Sequence, residues 1–191
     1  MPSSRVPDEQ LPHTRHNYRD ATDDEAKALA SGLRLRILRM TLDESLTNKQ
    51  IADALGKPAA SVLHHVRTLV DTGFLAAEDP RRGARGSREI PYRATGKSWY
   101  VHAPIGAHSM VEAFLTEVQD VPEDQLHMTR LGLRMSAEDL EEFSERLHAL
   151  LKEMHDRPRD LSAPPHSLFL AIHPDTSAPP ASGPGSLRCA D

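Results

Sequence analysis

The 191-residue chain has one cysteine, few aromatic residues and no long apolar run. Because Cys189 has no partner in the chain, an intramolecular disulfide is excluded and a reducing compartment is expected. Aromatic residues make up 4% of the sequence, so the core must be mainly aliphatic, which favours helices over a large sheet. No apolar run approaches the ~20 residues that span a bilayer, and the N-terminus lacks a signal-peptide core. We therefore expect a soluble, cytoplasmic protein with no membrane partner.

Charge is distributed unevenly along the chain. The formal net charge is −5, which taken alone argues against binding to nucleic acid. However, residues 34–99 carry 12 Lys and Arg against 7 Asp and Glu, whereas residues 100–160 carry 6 against 13. The first half of the chain could therefore meet phosphate, while the second half is solvated or contacts protein.

Residues 47–95 have the pattern of a helix, a tight turn, a second helix and two strands around a basic loop. Thr47 is expected to cap a first helix over residues 48–55, and Gly56 can adopt the left-handed conformation that ends it. Residues 58–71 form the second predicted helix, since proline is well tolerated in the first turn. This order predicts a winged helix-turn-helix, a unit that places a helix in the DNA major groove.

The two sides of the second predicted helix differ in chemistry. Val62, Val66 and Leu69 fall on one side and are expected to pack on the preceding helices. The other side carries Ser, His and Arg, whose side chains can bond base edges or phosphates. This side therefore predicts the surface that reads DNA.

A basic loop separates the two predicted strands, residues 74–78 and 90–95. It holds four arginines and no apolar residue larger than alanine, which favours contact with phosphate or the minor groove over a merely solvated loop. Pro91 removes one backbone donor, so we expect it at a sheet edge or on the outward side. Together, the helix and the loop give the residues predicted to contact DNA: Thr47, Lys57, Ser61, His64, His65, Arg67, Arg81, Arg82, Arg85 and Arg88.

The sequence on either side of this stretch suggests four regions. Residues 1–22 are read as a disordered arm, 23–103 as the DNA-binding domain, 104–173 as a dimerisation or regulatory region, and 174–191 as a disordered tail. One helix is expected from a Thr22 cap to about residue 42.

The region after residue 103 is predicted to be mainly helical. Residues 107–119 form an amphipathic helix that packs either within the chain or against a second copy. A second helix begins at a Ser136–Asp139 capping box and runs to about residue 156. Residues 125–135 and 167–172 have strand patterns, so a small strand-helix-strand unit is permitted. The fold class is therefore mainly α, in an α+β arrangement.

Three motifs in this order, LTNKQIADALG, SVLHHVRTLVDTGFL and REIPYRAT, resemble the ArsR/SmtB-type winged-helix regulators of bacteria and archaea. The resemblance covers about residues 26–101. It implies a homodimer that binds double-stranded DNA with one recognition helix per subunit. By position, it also implies a set of DNA-facing residues on the helix and in the wing: Ser61, His64, Arg67, Arg85 and Arg88.

The sequence departs from the founding members of that family at their metal site. Those members sense metals through a cysteine pair on the recognition helix, and no cysteine occupies these positions here. Another sensor type uses His and carboxylate ligands, and His108 with Glu112 has the i, i+4 spacing for one edge of such a site. No second pair clusters with it, so we predict no metal ligand and no cofactor, and the effector remains unidentified.

The predicted function is that of a DNA-binding transcriptional regulator that recognises a palindromic operator. An interaction adaptor built on a winged helix, and a metal-responsive repressor with His and carboxylate ligands, remain alternatives. The sequence contains no Gly-rich phosphate loop, nucleophile elbow or zinc motif, so we predict no catalytic residue and no enzyme activity.

Overall fold

The computed structural model describes residues 19–83, 87–103 and 107–176. The helices in this part of the chain are α1 Asp23–Leu29, α2 Gly32–Met40, α3 Asn48–Leu55, α4 Ala59–Asp71, α5 Ala107–Val118 and α6 Ala137–Asp156. The strands are β1 Arg19–Asp20, β2 Leu46–Thr47, β3 Leu75–Ala77, β4 Arg81–Arg82, β5 Arg88–Glu89, β6 Pro91–Ala94 and β7 Val101–His102. The predicted mainly α fold is confirmed. Over the described ranges, no helix has both the length and the apolarity needed to cross a membrane.

The described residues divide into two compact units. The first contains residues 19–127 together with 159–165, and the second contains residues 128–158 together with 166–176. This division places α5 in the same unit as the helix-turn-helix, whereas the sequence predicted a boundary after residue 103. A backbone contact explains this: a Cβ added at Gly32 on α2 would lie 3.3 Å from the Ser109 carbonyl oxygen on α5. The missing side chain lets the two helices approach closely.

The predicted single helix from Thr22 to about residue 42 is two helices. Thr22 caps α1 as expected, since its hydroxyl accepts from the Glu25 N–H at 3.3 Å while the Glu25 carboxylate accepts from the Thr22 N–H at 2.9 Å. The chain then turns at Ala30, and α2 begins at Gly32. Arg34 donates to the Lys27 carbonyl at 2.6 Å and to the Ala28 carbonyl, so it satisfies two acceptors where α1 ends.

The helix-turn-helix forms as its local sequence predicts. The Thr47 hydroxyl accepts from the Gln50 N–H at 3.2 Å, and the Gln50 side chain accepts from the Thr47 N–H at 2.9 Å. Gly56 ends α3 with φ 61° and ψ 33°. Pro58 is the N-cap of α4, and its carbonyl accepts from two amides of the first turn. Helices α2, α3 and α4 pack around fully buried side chains: Ile37, Ile51, Val62, Val66 and Leu69.

The prediction that Pro91 lies at a sheet edge or on the outward side is wrong. The three-stranded antiparallel sheet has the order β2-β6-β3, so β6 is its central strand, and Pro91 is buried. Pro91 is the first residue of β6 and pairs with Thr47. A central position is tolerated because a first residue need not donate to the ladder, while the Pro91 carbonyl still accepts from the Glu78 N–H at 2.9 Å.

The predicted disordered arm, residues 1–22, is wrong at its C-terminal end. Strand β1 pairs in parallel with β7, with Arg19 opposite Val101 and Asp20 opposite His102. Residues 1–18 lie outside the described part of the chain, as do residues 177–191 of the predicted tail.

Glu25 on α1, whose exposure is 7%, links β1 to the C-terminal end of α4. Glu25 accepts from the Arg19 guanidinium at 2.7 and 2.6 Å and forms an ion pair with Lys97 at 2.6 Å. Lys97 also donates to the carbonyl of Thr72, the C-cap of α4, and its ammonium lies 5.0 Å from the centre of the Phe74 ring. Hydrogen bonds from Arg19, Lys97 and the Thr22 backbone hold the pKa of Glu25 far below its ordinary value.

The second unit contains one long helix and no described strand. Ser136 caps α6 by accepting from the Asp139 N–H at 3.1 Å, but the Asp139 carboxylate accepts from the Ser136 hydroxyl at 2.7 Å, so the structure shows a simple N-cap. The strands predicted over residues 125–135 and 167–172 are wrong. Alternating side chains make a strand only where a neighbouring strand supplies backbone partners, and these residues are mostly exposed, as Leu131 at 71% and Leu168 at 73% show.

Replacing Glu25 with Gln tests the buried carboxylate. At neutral pH the free energy of unfolding should fall by roughly 1.5–3 kcal/mol, since charged hydrogen bonds are lost. Because the native pKa is depressed, the stabilisation is present above the unfolded-state value of about 4.3 and is lost as the pH falls below it. Urea unfolding from pH 7 to pH 3 should therefore show a flatter profile for Glu25→Gln. Glu44 is exposed, so the Glu44→Gln control should show the same change of unfolding free energy with pH as the wild type. If all three proteins showed the same pH dependence, the stabilising role of the Glu25 carboxylate would be contradicted.

Candidate nucleic-acid interface

The outward side of α4 is a polar stripe. Ala60, His64, Arg67 and Asp71 follow helical spacing and are exposed, and Ser61 is exposed beside them in the first turn. The opposite side is anchored, because Val62, Val66 and Leu69 each have 0% exposure. The helix therefore cannot rotate without exposing three apolar side chains. The predicted contacts Ser61, His64 and Arg67 all lie on the surface that remains free.

Side-chain contacts also fix the first turn of α4. The Asn48 side-chain amide, on the first residue of α3, donates to the Ala59 carbonyl at 2.9 Å. No side chain caps the N-terminus of α4, and the residues there are the small Ala59, Ala60 and Ser61. The helix dipole and the uncapped amides favour an anion at this end, and small side chains allow a backbone to approach. Lys57, another predicted contact, is exposed in the turn immediately before the helix.

The two adjacent histidines of α4 lie in different environments. His64 is exposed, whereas His65 is half-buried, and their ring centres are 5.7 Å apart in an edge arrangement. Burial, followed by the positive charges of Arg34, His64 and Lys57, lowers the pKa of His65. The His65 Nδ1 atom is buried and has no hydrogen-bond partner among the described residues. Of the two predicted contacts, His64 is therefore the one placed to meet a ligand in solution.

Thr47 is a correction to the predicted contact set. The residue is only 4% exposed, and its hydroxyl accepts the hydrogen bond that begins α3. Its backbone belongs to β2 and is paired with β6. The T-x-x-Q spacing that drew attention to this position is a capping box, so Thr47 shapes the interface without facing it.

Strands β4 and β5 of the basic loop pair as a small antiparallel hairpin, and we call these two strands the wing. Arg81 is opposite Glu89, and Arg82 is opposite Arg88. Arg82 and Arg88 are exposed and form no ion pair with a residue that the structure describes. Like charges directly opposite one another destabilise a strand pair, and an anion would remove that cost. Arg85, the fourth predicted arginine, lies outside the described residues.

Two further residues support the wing and were missed by sequence reasoning. Gln50 accepts from the Arg81 guanidinium at 2.9 Å, although 31 positions separate them. At the base of the wing, Arg93 donates to the Ser45 hydroxyl at 3.1 Å and to the Glu78 carboxylate at 2.9 Å. The capping spacing could have drawn attention to Gln50, but no local pattern distinguishes Arg93 from a solvated arginine.

Within the described ranges, no group of three or more His, Cys, Asp or Glu side chains is arranged to hold a metal ion. The side chain of His108, half of the pair considered in the sequence, lies outside the described residues.

A family model described as a helix-turn-helix domain matches residues 29–77. It spans α2, β2, α3, α4 and β3. The match confirms the sequence resemblance at the level of the helix-turn-helix domain. No curated protein matches the chain.

Several solved structures are similar to parts of the chain. An ArsR-like transcriptional regulator from Rhodococcus sp. RHA1 is 16% identical, with 71% of this chain and 91% of that chain covered and a TM-score of 0.33. The homodimeric winged helix-turn-helix DNA-binding domain of Mb0332 from Mycobacterium bovis, a possible ArsR-family regulator, is 23% identical, with 54% and 82% covered and a TM-score of 0.32. Lactococcus lactis ZitR in complex with DNA is 20% identical, with 64% and 74% covered and a TM-score of 0.32. At these TM-scores the similarities carry no functional argument.

Thr47 and Ser61 give a matched pair of substitutions that separates folding from recognition. Thr47→Ala removes the cap of α3, so the free energy of unfolding should fall by about 1 kcal/mol. Ser61→Ala changes an exposed position without a capping bond, and its unfolding energy should stay within about 0.5 kcal/mol of the wild type. Chemical denaturation of both variants measures this difference. If Thr47→Ala were as stable as Ser61→Ala, the capping role of Thr47 would be contradicted and Thr47 would again be a candidate DNA contact.

Proposed function

We propose that this chain, which carries a helix-turn-helix domain, is a sequence-specific DNA-binding transcriptional regulator that acts as a homodimer. The observation that carries the proposal is the stripe of His64 and Arg67 on α4, held outward by the buried apolar side of the same helix. A helix presented in this way fits the major groove, which displays a distinct donor and acceptor pattern for each base pair.

We assign recognition of the DNA base sequence to α4. Ser61 and His64 can donate to or accept from base edges, and Arg67 can bond a guanine or a phosphate. The uncapped first turn of α4, with its small residues, approaches the duplex most closely. The acidic Asp71 at the other end of the stripe disfavours phosphate there, which orients the helix with its N-terminal half toward the DNA.

We assign to the wing the part of the DNA affinity that does not depend on the base sequence. Arg82 and Arg88 place two positive charges side by side on one face of the hairpin. A phosphate between them offsets their mutual repulsion and releases counterions from the duplex, which makes the affinity depend on salt.

Dimerisation is assigned to the free side of α5. One side of this helix packs on α2 through Gly32, and Ala113 is buried there. Three apolar residues on α5 remain exposed, namely Met110 at 42%, Val111 at 41% and Leu115 at 57%. A second copy covers this face with the same surface, since a two-fold interface is self-complementary. Two recognition helices related by that axis call for a palindromic operator.

Substituting the paired wing arginines tests DNA binding. Arg82→Ala and Arg88→Ala should each weaken binding to all duplexes and reduce the slope of log K against log salt by about 1, because each variant loses one phosphate contact. Fluorescence anisotropy on a duplex from the protein's own upstream region, over a KCl series with nonspecific competitor, measures both quantities. Arg130→Ala, which removes the same charge from the second unit, is the control and should leave the slope unchanged. Unchanged binding in both wing variants would favour the interaction-adaptor alternative.

Oligomeric state tests the dimer interface. Leu115→Glu places a charge on the exposed side of α5 and should shift the protein to monomer, because burying an unpaired charge is unfavourable. Sedimentation equilibrium over a concentration series measures the shift. The matched variant is Leu150→Glu, which introduces the same charge at an exposed apolar position of α6. A monomeric Leu150→Glu variant and a dimeric Leu115→Glu variant would place the interface on α6.

A further inference from the structure

We propose that Arg81 and Gln50 are positioning residues that hold the wing against the N-terminus of α3, and that Arg82 and Arg88 form the wing's DNA contact. The inference rests on the proposed DNA-binding function. It divides the wing arginines, which look equivalent in sequence, into one that fixes the hairpin and two that meet phosphate.

The register of the hairpin gives its two faces different chemistry. Successive residues of a strand face opposite sides, and residues directly opposite in an antiparallel pair share a side. Arg81 and Glu89 therefore share one face, and Arg82 and Arg88 share the other. The first face carries opposite charges and is locally neutral, whereas the second carries two positive charges. Only the second face has an uncompensated attraction for a polyanion.

The neutral face is attached to the rest of the domain. One Arg81 nitrogen donates to the Gln50 Oε1 atom at 2.9 Å, and the same oxygen accepts from the Thr47 N–H at 2.9 Å. An amide oxygen has two lone pairs, so these two bonds fill its capacity. Thr47 is itself buried and paired with Pro91 in the central sheet. Arg81 therefore bonds to a group whose position is already set by both the helix cap and the sheet.

The hairpin needs such an attachment because it is very short. Each strand has two residues, and the Gly83 N–H donates to the Ser87 carbonyl at 2.7 Å near the tip. A two-stranded hairpin alone is marginally stable in water. Arg93 and Glu78 fix its base through a bond of 2.9 Å, and the Arg81–Gln50 bond fixes the side of the hairpin. Holding Arg82 and Arg88 in place before binding reduces the ordering cost of the phosphate contact.

A double-mutant cycle on DNA binding tests the division of roles. Arg81→Ala and Gln50→Ala should each weaken binding about 2- to 12-fold, the range for one net hydrogen bond, with the salt slope of the wild type. The double variant should bind about as weakly as Gln50→Ala alone, because Gln50→Ala already removes the bond to Arg81. Arg82→Ala is the matched control, and its salt slope should fall by about 1. The positioning role would be overturned if Arg81→Ala reduced the salt slope as much as Arg82→Ala does, and if the losses of DNA affinity from Arg81→Ala and Gln50→Ala multiplied in the double variant.

Hydrogen exchange on the free protein gives a readout that does not depend on DNA. The Gly83 amide should exchange faster in Arg81→Ala and Gln50→Ala and no faster than in the wild type in Arg82→Ala, since only the first two detach the hairpin. Gln50→Glu, which keeps an acceptor for both Thr47 and Arg81, should restore protection. Equal protection in all variants would overturn the inference. If the wild type binds no duplex but shows this pattern of exchange, the proposed function fails while the attachment of the wing stands.

Discussion

The burial of one side of α4 is the constraint on which the rest of the structure depends. Val62, Val66 and Leu69 pack with Ile51 of α3 and Ile37 of α2, and each has no measurable exposure. Because the helix has a fixed period, burying these positions determines which residues face outward. The identity of the outward polar stripe of α4 is thus a consequence of the core. Under the proposed function, changes in that core alter DNA binding without replacing any residue of the stripe.

Polar contacts then fix the position of this packed unit. At the N-terminus of α4, Asn48 bonds the Ala59 carbonyl. At the C-terminus, Lys97 bonds the Thr72 carbonyl and connects it to the buried carboxylate of Glu25. Both ends of the helix are therefore held by side chains from other elements. A buried carboxylate with two cationic partners is costly to break, since losing one partner leaves charge without compensation.

Features set by neighbouring residues could be predicted from the sequence. The caps at Thr22 and Thr47, the left-handed Gly56 and the buried side of α4 all follow from local spacing. Contacts between distant residues could not. The Gln50–Arg81 and Arg93–Ser45 bonds span 31 and 48 positions, and many other arginines would have looked equally suitable.

The errors of sequence reasoning have physical causes of the same kind. A helical period continues through Ala30, but Arg34 folds back onto the carbonyls of α1 and Gly32 packs on α5, so the chain turns there. Alternation over residues 125–135 resembles a strand, but the described chain offers it no pairing partner. Pro91 lies in a central strand because it is the first residue of that strand. In each case tertiary contacts decided between conformations that the local sequence allowed.

The most direct test of the central claim is an unbiased selection of bound sequences from a random duplex pool with the wild-type protein. A homodimeric reader with α4 in the major groove predicts enrichment of an inverted repeat, with half-site centres about 10 base pairs or a multiple of that apart. Recovery of a pool with no enriched sequence, at a salt concentration where the protein still binds DNA, would contradict sequence-specific recognition by α4.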